Sequence, residues 1–538
     1  MILQIDKLKS GLDQKRLLIL LVFLIFFVPR IVSLGWDLTN IDAHHWRPRM
    51  WNFWEGLESG NFGKTYQKYH PGVTLMWISG SSERVFDHLS EFLLGYNTRN
   101  LPKWYPYRHF AAKAPLVIVI SILGAYCYFV LKKATTSTYA LIFSILLSLE
   151  PFFLGVSRYL HLSALTSMFM FSSFITLYLY TLEKKRWQFV LSAVFLGLAV
   201  LTKVNGVIVA FTNALLLVSS CFDSLDDLGD FSRWKKFFVR GFGYAAISVF
   251  VFFALWPAMW VEPLGVVRKM LDKGIGDTAF DSDGAVMLVP TRYLFYFETF
   301  FLRSSPITAL LFVLSLPLAL FSDSDLKNIK KLLLFSLSFL FFSWLFLSIP
   351  DKVKDRYLIS MYPAFFVYIS FALYEILQLV PKRAAVLILF FLGSYYGLTI
   401  YRYHPQYSFY WNDAIGGQHG LKALGLPTIR RGEYFYQAAF YINKLSDEPR
   451  DKNTVIFNFG MEPCFKFAFY GKTFTSWGFM PDGYHAHYIV TSPEYLDKVP
   501  SFCEFKKTFG VRSPNPYPAV RVFECGKKID NTFEEEDT

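Results

Sequence analysis

The sequence predicts a mainly α protein, a polytopic transmembrane helix bundle followed by a small α/β domain. Three observations carry this. Of 538 residues, 53% are hydrophobic and 19% aromatic while only 18% are charged, against roughly 25% charged and 45 to 50% apolar in soluble domains. Apolar runs long enough to cross a bilayer recur through the first 400 residues. Bare Lys/Arg clusters fall in every second connection between them. One aqueous core cannot hide 58 Phe, whereas lipid-facing helix surfaces accept them.

The first run, Leu17 to Gly35, follows Lys7, Lys9, Lys15 and Arg16. It is too long for a signal-peptide core and lacks a small-residue cleavage site, so it reads as an uncleaved first span with a cytoplasmic N-terminus. Further runs lie near 114–131, 138–155, 161–182, 187–202, 204–220, 237–256, 304–321, 332–349, 358–380 and 384–400, which makes about eleven spans. Lys132 and Lys133, then Lys184 to Arg186, Arg233 to Lys236, Lys327 to Lys331, and Lys382 with Arg383 fall on the side of the N-terminus. Positive charge marks that side as cytoplasmic. The net charge of +12 follows from this topology and implies no nucleic acid.

The opposite side receives the long loop 36–113, turns near Arg158 and Lys203, the loop 257–303, Asp351 to Arg356, and everything after 400. Loop 36–113 is rich in Trp, Tyr and His and far longer than a helix hairpin needs. Its stretch Val73 to Leu94 reads as amphipathic helices lying on or dipping into the membrane. Residues 1–400 thus form the multi-span body. Residues 401–538 read as an extracytoplasmic α/β domain, with a helical pattern at Glu433 to Leu445 and alternating runs at Thr454 to Phe459, His487 to Thr491 and Ala519 to Glu524. Glu534 to Asp537 reads as a solvated tail. The five cysteines show no CxxC or Cys/His metal spacing. Cys503 and Cys525 flank or lie in successive strand-like segments and are expected to pair in an oxidising compartment.

Ionisable groups at membrane depth mark function. On this topology Asp42, Arg158, His161, Lys203, Arg303, Lys354 and Arg356 share one level near the outer face. One acid facing several cations suits an anionic, lipid-borne substrate, its phosphate held by charge-assisted hydrogen bonds while Asp42 accepts a proton from a hydroxyl. The plain reading makes the cations snorkelling or loop residues. His44, His45 and His70 with Asp42 form a weaker metal alternative, since adjacent histidines point apart. No cofactor is assigned, and a divalent metal is left open.

The segment Ile41-Asp42-Ala43-His44-His45-Trp46-Arg47, followed by Tyr69-His70-Pro71-Gly72-Val73-Thr74-Leu75-Met76-Trp77, resembles the first outer loop of glycosyltransferase family 39 and related GT-C membrane glycosyltransferases. Further blocks keep the family order: Pro151 to His161 with Ser157-Arg158, Gly197 to Lys203, Leu255-Trp256-Pro257, Arg303 with Pro306, Asp355 to Leu358, and Tyr410-Trp411-Asn412 with Gly416-Gly417. The resemblance covers about residues 15–445. It implies a polyprenyl- or dolichyl-phosphate sugar donor, a protein, lipid or glycan acceptor on the non-cytoplasmic side, and inversion at the sugar carbon. It maps the loop acid onto Asp42 and donor-phosphate binding onto Arg158, Arg356, Lys203 and Lys354. His70, His161 and Arg303 are expected to contact substrate. The chain departs from the family at Ala43 and Ser163, where many relatives carry acids, and retains the acceptor-activating acid. The competing reading is a lipid-linked saccharide transporter or a carrier-binding relative without activity, but a transporter needs polar groups near the bilayer midplane.

Overall fold

A computed structural model describes residues 12–37, 39–99, 101–222, 224, 226–276, 291–321, 327–350, 353–426, 432–445, 454–459, 462–474 and 486–529. Lys7, Lys9, Asp351, part of the loop 257–303 and the acidic tail lie outside these residues.

The membrane body begins with α1 (Leu12–Ile31), apolar from Leu17 onward except for the buried Arg30 in its last turn. The long loop then folds as α2 (Ile41–Glu58), the short α3 (Val73–Leu75) and α4 (Ser81–Leu94) before α5 (Tyr105–Ala134) returns to the bundle. There follow α6 (Ser137–Leu149), α7 (Pro151–Val156), α8 (Ser163–Glu183), α9 (Arg186–Thr202), α10 (Val209–Cys221) and α11 (Phe231–Ala254). Short helices α12 (Ala258–Val261), α13 (Pro263–Gly276) and α14 (Phe295–Arg303) lead into α15 (Pro306–Phe321), α16 (Lys327–Ser348), α17 (Tyr362–Leu379) and α18 (Lys382–Tyr403). Each expected apolar run overlaps one of these helices. Among the described residues, seven helices are long and apolar enough to cross a membrane, and α6, α9 and α15 are shorter apolar ones. The chain is an integral, multi-pass membrane protein.

Burial sorts the helices by position. In the most apolar stretch of α8, 94% of residues are buried, against 17% in α11 and 22% in α18, so α8 is the axis of the bundle and the other two face lipid. Helices in lipid gain little from apolar burial and rely on packing and interhelical hydrogen bonds. Hydroxyls supply the bonds here: Tyr244 of α11 meets Ser192 of α9 at 2.7 Å and Ser173 of α8 at 3.1 Å, and Asn213 of α10 donates to the same Tyr244 hydroxyl at 2.8 Å.

Between α3 and α4 the chain passes through one π-helical turn, Met76–Gly80. The Trp54 indole N–H donates to the Met76 carbonyl at 3.0 Å, satisfying a backbone group on that turn. α4 is inverted relative to a helix on a soluble protein. Glu83, Asp87 and Ser90 are buried, whereas Val85, Leu89, Phe92 and Leu93 are exposed. Glu83 pairs with Arg47 at 3.1 Å and Arg108 at 2.8 Å, and Asp87 pairs with Arg108 at 2.8 Å and Arg99 at 3.2 Å. Polar contacts thus bolt α4 to α2 and α5 and leave its apolar face outward, as an interfacial helix requires.

After α18 come α19 (Gly417–Ala423), α20 (Phe435–Leu445) and α21 (Glu462–Lys466) with a five-stranded mixed sheet. The strands are β1 (Thr454–Phe459), β2 (Lys472–Phe474), β3 (Ala486–Thr491), β4 (Cys503–Val511) and β5 (Tyr517–Ile529), in spatial order β2-β1-β3-β5-β4. β4 and β5 run antiparallel with Cys503 opposite Cys525, and the two cysteines are joined as a disulfide. Its own core, including Phe435, Ile489, Val520 and Val522, is separate from that of the bundle. It docks on the long loop: Tyr436 donates to the Gly35 carbonyl at 3.0 Å, and Phe467 lies 4.2 Å from the His44 ring and stacks on Tyr105.

Candidate active site at one end of the bundle

The site forms where several helices stop at the same level. α2 presents Asp42, His45 and Arg49 along one stripe, with i, i+3, i+7 spacing, while Ala43, Arg47 and Met50 on its other side are buried against the protein. The Tyr69-His70 segment is led in by Gly72. Its φ of +63° suits glycine, and a Cβ there would stand 2.2 Å from the Trp46 ring. The Gly72 N–H donates to the Thr202 carbonyl at 3.0 Å, and the Thr74 and Thr202 hydroxyls meet at 2.7 Å. These bonds set His70 beside Lys203, which caps the C-terminus of α9. His161 sits in the turn entering α8, and Lys354 and Arg356 flank the start of a 3-10 turn, Asp355–Ser360, below α17.

The cavity holds about 260 Å³ and is lined by Asp42, His45, Trp46, Arg49, Lys68, Tyr69, His70, His161, Leu162, Lys203, Lys354, Arg356 and Tyr357. That is just below the roughly 300 Å³ at which sites for drug-sized ligands begin, a size for a head group rather than a whole lipid carrier. Arg356 Nη1 pairs with Asp42 Oδ2 at 2.7 Å. His161 Nδ1 accepts from the Ser163 N–H at 3.2 Å, so the neutral ring carries its proton on Nε2, which faces Asp42 Oδ2 at 4.0 Å. Lys203 Nζ lies 3.9 Å from the centre of the Tyr357 ring, and no described carboxylate pairs with it.

Asp42 is the single acid among the described lining residues, against Arg49, Lys68, Lys203, Lys354 and Arg356. This shows in the titration of the cavity wall. Burial, aided by Arg356 and opposed by Asp42, pushes the Lys203 ammonium down to about 7. Burial, with Lys203, Lys68, His161 and Arg356 around it, holds His70 well below the ordinary histidine value. His70 Nδ1 is buried without a hydrogen-bond partner, and so is Arg356 Nε. An unpaired buried guanidinium N–H and a desolvated ammonium are the features of a wall that gains from an anion.

The structure therefore brings Asp42, His70, His161, Lys203, Lys354 and Arg356 together. It does not bring Arg158 or Arg303 to the cavity. Arg158 is 2% exposed and pairs with Asp37 at 3.1 Å, alongside Lys113 at 2.6 Å. Arg303 is 1% exposed, pairs with Asp355 at 2.6 Å, donates to the Ser408 and Tyr410 carbonyls and lies 3.4 Å from the centre of the Trp411 ring. Each of these two cations is already held by a buried carboxylate, Asp37 for Arg158 and Asp355 for Arg303. Arg303 instead fastens the loop that carries Lys354 and Arg356. His44 turns away from the cavity toward Phe467, and among the described residues no group of three or more His, Cys, Asp or Glu could hold a metal ion. Arg49, Lys68 and Tyr357 are lining residues that the sequence reading passed over. The spacing of Arg49 from Asp42, seven residues along one helix, was the available signal.

A family model described as dolichyl-phosphate-mannose-protein mannosyltransferase matches residues 61–261, a stretch that contains the motifs around His70, Arg158 and Lys203. No curated protein sequence matches the chain significantly. Among solved structures, ArnT from Cupriavidus metallidurans in the apo state is similar at 13% identity, covering 96% of this chain and 98% of that one, with a TM-score of 0.46. The same protein bound to undecaprenyl phosphate gives 13% identity over the same shares and a TM-score of 0.43. The Archaeoglobus fulgidus oligosaccharyltransferase gives 14% identity, 89% of this chain and 68% of that one, and a TM-score of 0.39.

Proposed function

We propose that this protein is an inverting membrane glycosyltransferase that moves a sugar from a polyprenyl- or dolichyl-phosphate donor to an acceptor hydroxyl. The observation that carries the reading is a head-group-sized cavity in which Asp42, the single acid among the described lining residues, faces five cations at the end of a helix bundle. The match to the mannosyltransferase family model over residues 61–261 supports it. Charge orientation in the loops supports a cytoplasmic N-terminus and an extracytoplasmic cavity and C-terminal domain.

Lys203, Arg356 and Lys354 hold the donor phosphate, and His70 and His161 border the sugar. Arg356 clamps Asp42. Donor phosphate competes for Arg356, so loading the donor loosens the clamp on the base. Asp42 then hydrogen-bonds the acceptor hydroxyl and takes its proton as the oxygen attacks the anomeric carbon. The new glycosidic bond forms as the bond from that carbon to the phosphate oxygen breaks on the opposite face. Negative charge grows on the leaving lipid phosphate, where Lys203 and Arg356 stabilise it most in the transition state. His161, holding its N–H toward Asp42, is a positioning residue. Single-turnover transfer from a radiolabelled polyprenyl phosphate sugar tests the assignment: Asp42→Asn lowers the rate about a hundredfold or more and leaves donor binding nearly intact. Unchanged transfer in Asp42→Asn refutes it, and donor binding without transfer to any acceptor favours a carrier-binding relative.

A further inference from the structure

We infer that Arg49, with His45 beside it, forms a second anion subsite in the same cavity, one that takes the acidic group of a saccharide. This rests on the first end of the cavity being the donor-phosphate site. Arg49 stands seven residues from Asp42 on one stripe of α2, which places it about 10 Å along the helix axis from the acid. A donor phosphate held by Lys203 and Arg356 lies at the Asp42 end, because Arg356 touches Asp42. Arg49 thus enters the cavity from two turns further along α2, on the side where a group one sugar away from that phosphate lies.

Three observations give the second position its chemistry. Among the described residues no carboxylate forms an ion pair with Arg49, and Asp42, the single described acid on the wall, is engaged by Arg356. The guanidinium lies 4.6 Å from the centre of the Trp46 ring, a cation–π contact that uses none of its N–H groups, and a guanidinium suits a flat, bidentate acceptor such as a carboxylate. Burial lowers the Arg49 pKa, with Asp42 and Tyr69 opposing, as expected of a cation drawn partly out of water without a bound anion. His45, one turn nearer Asp42 and also lining the cavity, suits the hydroxyls that flank such a group.

The test uses full-length protein in nanodiscs saturated with polyprenyl phosphate, titrated with methyl glucuronide and with neutral methyl glucoside. The glucuronide binds about tenfold or more tightly than the glucoside, the size of one charge-assisted contact. Arg49→Gln removes the difference between the two sugars, and Arg49→Lys keeps part of it. Equal binding of the two sugars, binding of neither, or a preference that survives Arg49→Gln overturns the subsite. Failure of the donor reading is read separately, as polyprenyl phosphate binding that is absent or unaffected by Lys203→Gln.

Discussion

Lys203 makes binding of the carrier phosphate depend on pH in a direction and size set by its surroundings. It is 4% exposed, and burial with Arg356 nearby brings its ammonium down to about 7 from 10.5. Half the donor-free protein carries the charge at pH 7 and about 1% at pH 9. A bound phosphate restores the charge and lifts the pKa, so binding takes up a proton. Affinity therefore falls as pH rises above 7, by about fiftyfold between pH 7 and 9 if the bound form stays charged throughout, or about 2.3 kcal/mol. The assay is equilibrium binding of radiolabelled polyprenyl phosphate to nanodisc protein from pH 6 to 9. Above pH 7 the phosphomonoester is dianionic, its second pKa being about 6, and His70 stays neutral because its pKa lies well below the ordinary value. Lys203→Arg keeps its charge over the whole range and flattens the profile, whatever its absolute affinity. A flat profile in the parent protein, or a slope that persists in Lys203→Arg, refutes the reasoning.

Other perturbations probe the scaffold around the site. Gly72→Ala puts a Cβ 2.2 Å from the Trp46 ring at a φ of +63°; it lowers stability by about 1 to 3 kcal/mol, seen as a lower melting temperature, and weakens donor binding through the displaced His70. Arg303→Met strands Asp355 in a buried place and costs about 3 to 5 kcal/mol, whereas Arg303→Met combined with Asp355→Leu recovers much of it; equal melting of the two variants contradicts the bolt. Topology is checked by reporter fusions, cytoplasmic after Arg383 and external after Tyr403; the reverse pattern moves the site to the other face.

Much of the architecture follows from local sequence. Apolar runs near bilayer length became helices because a chain in lipid must satisfy its backbone internally. The strand at Thr454 to Phe459 and the pairing of Cys503 with Cys525 followed from short alternating runs. Asp42, Lys203 and Arg356 were legible because each is charged at the end of an apolar run, where charge is expensive. Arg158 and Arg303 carry the same local signal and lie outside the cavity. What separates them is Asp37, 121 positions from Arg158, and Asp355, 52 positions from Arg303. Sequence alone thus determined which residues must be charged at one end of the bundle. Only tertiary structure decided which of those charges are neutralised by a distant carboxylate and which are left facing a cavity, because pairing depends on distances in space that no local pattern encodes.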